Sequence, residues 1–232
     1  VYKRQVQRMT TSAPYYGDST VLRTPPPDLP SLMLKERIVY LGLPLFSDDD
    51  TKRQLGLDVT ELIIAQLLYL EFDNPDKPIY FYINSTGTSW YTGDAIGFET
   101  EAFAICDTLR YVKPPVHTIC IGQAMGTAAV ILSAGTKGQR AALPHASIVL
   151  HQPRSGARGQ ATDIQIRAKE VLHNKRAMLE ILSENTGRSV EQLSNDSDRL
   201  SYLTPEHAVE DGLIDRVLSS RKDLPTSPPA SL

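Results

Sequence analysis

The chain is short of cysteine, short of tryptophan and without a marked excess of either charge, and each shortage closes off a class of protein. With two cysteines in 232 residues there is no disulfide framework, and Cys106 and Cys120, both in apolar segments, lack metal-ligand spacing. A formal net charge of -3 leaves no basic footprint for nucleic acid. No window reaches the roughly eighteen consecutive apolar residues that a membrane helix needs, and the first residues lack the charged-then-apolar layout of a secretory signal. A reduced, intracellular setting without metal or cofactor fits this composition, and the length suits one domain with a well-formed core.

A further absence is local. Thr118-Ile119-Cys120-Ile121-Gly122-Gln123-Ala124-Met125-Gly126-Thr127-Ala128-Ala129 reads as a β-branched strand breaking at glycine into a small-residue helix. That layout exposes a serine on a sharp elbow in hydrolases. Here the elbow carries Gly126, which has no atom with which to attack.

Around this turn the chain divides plainly. Val1-Tyr2-Lys3-Arg4-Gln5 reads like a translated sequencing adapter, so residues 1–8 are set aside, with Met9 as the expected start and no transit peptide. Residues 9–33, polar and broken by Pro25-Pro26-Pro27 and Pro30, are expected as an extended arm. Residues 34–221 form the folded domain, and 222–232, with three prolines, a disordered tail. Within the domain, residues 36–45 are a strand candidate and Ser47-Asp48-Asp49-Asp50-Thr51-Lys52-Arg53 a charged surface insertion. A helix over 58–72 is capped by Asp58 or Thr60. Short buried strands at 78–84 and 116–122 flank a helix over 102–111, a further strand spans 141–153, and a long helix covers 161–187, ended by glycine. Strand-then-helix units of this length predict a layered α/β domain.

Cys120-Ile121-Gly122-Gln123-Ala124, Ser133-Ala134-Gly135-Thr136-Lys137-Gly138, Leu150-His151-Gln152-Pro153, Gly159-Gln160-Ala161-Thr162-Asp163-Ile164 and Ala208-Val209-Glu210-Asp211-Gly212-Leu213-Ile214-Asp215 together resemble the successive motifs of the ClpP serine peptidase family over 34–221. The family pattern places its nucleophile at Gly126, its base at His151 and its acid at Leu200, so of the triad only the histidine remains. In this the chain resembles ClpR, the branch of cyanobacteria and plastids that has lost its catalytic residues. A serine peptidase needs a nucleophile, a base within hydrogen-bond reach and a carboxylate that holds the base in one tautomer. Glycine and leucine supply neither the first nor the third. Asp198 shares a face with Leu200 in an extended segment, but it also reads as a solvated charge in the loop 195–199.

The resemblance further implies a ClpP/crotonase-like fold with a protruding handle helix. It implies backbone oxyanion-hole positions at Thr88 and Thr127, although a β-branched Thr88 stands where the family has glycine. The segment 89–100, with Trp90, Tyr91, Gly93 and Gly97, is longer than the family pattern and reads either as a plug of the cleft or as an ordinary surface loop. The handle, by which two heptameric rings stack into a tetradecamer, falls on 154–160 and the long helix. The apolar residues of that helix, Ile164, Ile166, Val171, Leu172, Met178, Leu179 and Leu182, spread wider than one face needs. Pockets that receive loops of an AAA+ chaperone, ClpC-like, fall on Tyr80, Tyr82, Tyr111, Ile119, Ile121, Ala141 and Leu143. Ala141 replaces a large aromatic, removing about 1 to 3 kcal/mol of potential burial.

The implied function is a non-catalytic subunit of the ATP-dependent Clp protease core, in mixed rings with active ClpP-type subunits that degrade unfolded proteins, in the cyanobacterial cytoplasm or the plastid stroma. Two alternatives stay open on the residues: a peptidase with a relocated nucleophile at Thr127 or Ser89, and a crotonase-like acyl-CoA site, for which no CoA-binding feature is present.

Overall fold

The computed structural model describes residues 28–47, 58–89, 95–153, 159–220 and 223. The elements are α1 (Leu29–Lys35), β1 (Ile38–Leu41), α2 (Val59–Asp73), β2 (Ile79–Ser85), α3 (Glu99–Tyr111), β3 (Val116–Met125), α4 (Thr127–Ser133), β4 (Ala141–Ala142), β5 (Ser147–Leu150), α5 (Ala161–Thr186), α6 (Val190–Ser197), β6 (Ser201–Leu203), α7 (Pro205–Glu210) and β7 (Arg216–Val217). The strands form one mixed sheet, and the fold is the layered α/β arrangement with ClpP-like connections.

Strands β1, β2, β3, β4 and β7 run parallel in that order, with Ile83 opposite Cys120 and Ile119 opposite Ala141. The far end of β3 leaves β4 and pairs instead with β5, Met125 against Val149, and β6 closes that edge antiparallel to β5. The first half of β3 is buried residue after residue, as a parallel strand covered on both faces must be. Strand β2 alternates, burying Ile79, Phe81 and Ile83.

All seven residues of α4 are buried, and Ala128 and Ala129 at its start let it lie close against the sheet. Helix α2 is capped by Asp58, whose Oδ1 accepts the Thr60 and Glu61 amides at 3.0 and 3.3 Å. Its far end is closed by a residue that no sequence pattern marked. Arg37 is buried with φ at 59°, and its guanidinium donates to the carbonyls of Leu70, Asn74 and Lys77 and to Asp73.

Several expectations need correction. Residues 29–33, assigned to the extended arm, lie in α1, where Pro30 sits harmlessly in the first turn. The strand expected over 36–45 is confined to Ile38–Leu41, and that over 141–153 is two short strands with different neighbours. Asn195, Asp196 and Ser197, expected in a loop, belong to α6, which Ser189 and Gln192 start with a reciprocal capping box. Residues 1–27, 48–57, 90–94 and 154–158, and most of the tail, lie outside the described residues, so the arm, the charged insertion and the loop before the handle are not placed.

The long helix divides along its length. Asn174, Met178, Leu179 and Leu182 pack into the body, whereas Ile164, Ile166 and Leu172 are exposed. The wide spread of apolar residues reflects a buried C-terminal half and a projecting N-terminal half, ended by Gly187 at φ 79°.

Arg140 binds distant parts of the chain together. It is 3% exposed and pairs with Asp215 through Nη2 at 2.7 Å and Nε at 3.1 Å. Its Nη1 reaches the carbonyls of Ser133, at the end of α4, and Asn185, at the end of α5, at 3.2 and 2.9 Å. Burial alone would raise the Asp215 carboxyl, but the hydrogen bonds and charge of Arg140, with the Gly138 amide, outweigh it and hold the group below the usual carboxylate range. A carboxyl depressed in the folded state stabilises above its unfolded pKa, and that contribution is lost as pH falls through the folded value. Urea midpoints are therefore expected to fall below about pH 4, the unfolded carboxylate range, and Asp215→Asn to flatten this dependence. At neutral pH the same substitution leaves Arg140 buried without its counter-charge and should cost about 3 kcal/mol; unchanged stability would contradict this account.

Candidate active site

Of the three positions expected for a triad, the fold brings Gly126 and His151 into contact. Gly126 follows β3 directly and donates its amide to the Val149 carbonyl at 2.8 Å. His151 follows β5, and Leu200 immediately precedes β6, whose Ser201 pairs antiparallel with Leu150. The elbow has kept its backbone, with Gly126 at φ 52° and ψ -115° as N-cap of α4. That is a conformation in which an L-residue is strained.

The histidine has taken the space of the missing side chain. A Cβ on Gly126 would fall against His151 Nε2 and lie 2.7 Å from Cε1. His151 is 6% exposed, and its Nε2 has no hydrogen-bond partner among the described residues. Its Nδ1 lies 2.9 Å from the Gln152 carbonyl, and since a carbonyl only accepts, the proton sits on Nδ1 in the neutral ring. The imidazole is thus oriented by backbone, with a bare Nε2 directed at glycine. Among the described residues no carboxylate is hydrogen-bonded to the ring. Leu200 is 41% exposed, and Asp198, the alternative acid, accepts from the Gln152 amide and stands 3.7 Å from Lys175 Nζ.

The two positions expected to bind an oxyanion are engaged with each other. The Thr88 amide donates to Thr127 Oγ1 at 3.0 Å, and the two hydroxyls lie 3.2 Å apart. Thr88 itself is at ease, since Arg37 is the one non-glycine residue with positive φ among those described. The Thr127 hydroxyl is thus engaged with Thr88 and makes no hydrogen bond to His151. Ser89 is buried and bridges Ala95 across the base of the insertion. Neither hydroxyl has His151 as a base, because Nε2 is unpartnered and Nδ1 is engaged. The tip of the insertion, 90–94, lies outside the described residues, and with it the question of a plug.

Two neighbours escaped sequence reasoning. Glu99, at the first position of α3, and Asn174, on α5, are both buried and joined at 3.3 Å. Burial raises the Glu99 carboxyl above its ordinary range, against its own backbone amide, Asn174, His151 and Arg167, which pull it back. Nothing in the local pattern separates this glutamate from the exposed charges around it. The thiols are chemically quiet, since burial pushes Cys106 up to about 12 and Cys120 up to about 11. Among the described residues no group of His, Cys, Asp or Glu could hold a metal ion.

On the other side of the sheet, Ile119, Ala141 and Leu218 form a small buried cluster with Tyr80 and Tyr82 packed on it. Four residues of the expected chaperone surface are brought together by the sheet, since Tyr82, Ile119 and Ala141 stand in one row across β2, β3 and β4 and Leu143 donates its amide to the Cys120 carbonyl. Tyr111, Ile121 and Leu143 are exposed and lie outside that cluster. Leu218 was not foreseen.

Close packing at the elbow has a measurable consequence. Gly126→Ala and Gly126→Ser should each destabilise the chain by about 1 to 3 kcal/mol through the positive φ and the displaced imidazole. In a His151→Ala background the cost should shrink, with a coupling of about 1 kcal/mol or more in urea denaturation; additive effects would mean that the ring does not occupy the nucleophile's space.

Comparison with known proteins agrees with this geometry. The Clp protease family model matches residues 27–221. The chain is 78% identical over 218 residues to an ATP-dependent Clp protease proteolytic subunit-like protein of Synechococcus elongatus, covering 94% of this chain and 95% of that one. It is 54% identical over 206 residues to ATP-dependent Clp protease proteolytic subunit 2 of Gloeobacter violaceus, covering 89% and 86%. It is 48% identical over 198 residues to the chloroplastic ATP-dependent Clp protease proteolytic subunit-related protein 4 of Arabidopsis thaliana, covering 85% and 61%. With a ClpP-like sheet, an elbow of the peptidase type and relatives of this closeness, the chain belongs to the Clp protease family, as a ClpR-type subunit.

Proposed function

We propose that this chain is a non-catalytic member of a Clp protease core, forming mixed rings with active ClpP-type subunits that degrade unfolded proteins. The observation that carries this reading is the elbow: Gly126 faces His151 Nε2 across a gap too small for a side chain, and Nδ1 is held by a backbone carbonyl. Without an attacking oxygen, acyl transfer has no first step. An unpartnered Nε2 weighs against a relocated nucleophile at Thr127 or Ser89, and the Thr127 hydroxyl on the Thr88 amide weighs against a crotonase-like thioester site.

What such a subunit contributes is chamber wall, a handle and a face for a chaperone. The projecting half of α5, with Ile164, Ile166 and Leu172 exposed, suits stacking of heptameric rings. The Tyr80, Tyr82, Ile119, Ala141 cluster, flanked by Ile121 and Leu143, suits an AAA+ chaperone of the ClpC kind. Ile119 and Ala141 are buried, so they would form the floor of that surface and the tyrosines its walls. Relatives from cyanobacteria and chloroplasts point to the cyanobacterial cytoplasm or the plastid stroma, and no helix among the described residues is long and apolar enough to cross a membrane.

The purified chain is expected to hydrolyse neither peptides nor casein, and a serine-reactive phosphonate should not label it; turnover free of contaminating peptidase would end the reading. Co-expressed with an active ClpP-type partner, it should appear by native mass spectrometry in mixed, peptide-cleaving rings, whereas separate homo-oligomers would argue against it. Ile166→Pro, at a position 68% exposed inside α5, should cost that helix about 3 kcal/mol or more and abolish ring stacking while leaving the body folded.

A further inference from the structure

Thirteen residues of α5 precede its first buried side chain, Asn174. An amphipathic helix that projects so far has little within itself to fix its angle of departure. Among the described residues, Lys175 at its root donates to Gln152 Oε1 at 3.0 Å, and two further contacts from the body come from consecutive residues. Asn174, 5% exposed, donates to Glu99, 6% exposed, at 3.3 Å, and the Arg167 guanidinium lies over the Phe98 ring, 4.8 Å from its centroid.

Phe98 and Glu99 are themselves firmly set. Phe98 has no capping side chain of its own, and its amide donates to Ser47 Oγ at 2.6 Å, which in turn reaches Glu101 at 3.2 Å. Ser47 also donates its amide to the Ile96 carbonyl at 3.3 Å. Upstream, Ile96 and Gly97 donate to the Thr88 carbonyl at 2.9 and 3.3 Å. Thr88 is the residue whose amide and hydroxyl bind Thr127 at the elbow. A continuous path of hydrogen bonds and backbone links therefore runs from the elbow through residues 96–99 to the root of the handle.

We propose that residues 96–99 form a bracket that fixes the angle of the projecting half of α5 and couples it mechanically to the elbow. This segment closes the stretch in which the chain is longer than the ClpP pattern, so the added residues act on the handle, whatever their tip does at the cleft. The bracket is a property of the single chain and stands whether or not that chain enters mixed rings.

Hydrogen-exchange mass spectrometry on the full-length protein tests this. In a Phe98→Ala, Glu99→Ala double variant, amides of 161–173 should exchange on the order of tenfold faster, with the sheet unchanged. Glu99→Gln, whose amide oxygen still accepts from Asn174, should restore most of the protection in the presence of Phe98. Arg167→Ala removes the contact with Phe98 and the guanidinium charge that acts on Glu99, both parts of the bracket, and improves intrinsic helicity, so faster exchange in it reports loss of the bracket and not a weaker helix; it also serves if the double variant fails to fold. Unchanged exchange at 161–173 in the folded variants, or acceleration spread evenly over the sheet, overturns the proposal. Ring assembly with an active partner, measured separately, bears only on the mixed-ring reading.

Discussion

A buried arginine is a liability until each of its donors is met, and Arg140 converts that liability into long-range order. Its partners lie at the end of α4, at the end of α5 and just before β7, places far apart in sequence that must meet before the guanidinium is satisfied. An isolated charge in such a site would cost several kcal/mol. The demand therefore selects one arrangement of the C-terminal third, and it is the arrangement that carries α4, and with it the elbow, against the sheet. Arg37 repeats the device at the opposite edge, closing α2 with donors that a hydrophobic pattern cannot supply.

Local signals made the central elements legible. The buried run of β3, the glycine break, the Asp58 cap and the terminating Gly187 each have a short-range physical cause and were found near their expected positions. The misses share a different origin. Helix α1 hides behind prolines that read as arm, although proline in a first turn costs a helix nothing. Strands β4 and β5 look like one apolar segment, but they pair with different stretches of β3 and have different second neighbours, β7 and β6. The halves of α5 have similar composition, so which half is buried is decided by tertiary contact.

At the site, residue identity said that chemistry was missing, and geometry says what replaced it. Gly126 and Leu200 were visible as gaps in a pattern, but no rule of spacing places an imidazole into the gap or turns its Nδ1 to the Gln152 carbonyl. The same holds for Thr127. Its side chain was expected to point away from the cleft, yet that it would meet the Thr88 amide depends on the close approach of the 86–88 turn to α4, a matter of packing. Glu99 and Asn174 were unremarked because burial, and not type, gives them their role.

The left-handed backbone at Gly126 has a further meaning for heat and time. A residue with a side chain held at such an angle stores on the order of 1 to 3 kcal/mol, a tension that a working elbow tolerates for the sake of exposing its nucleophile. Glycine carries the same turn relaxed. The elbow therefore keeps its shape without a torsional load, and its endurance is set by the packing around it.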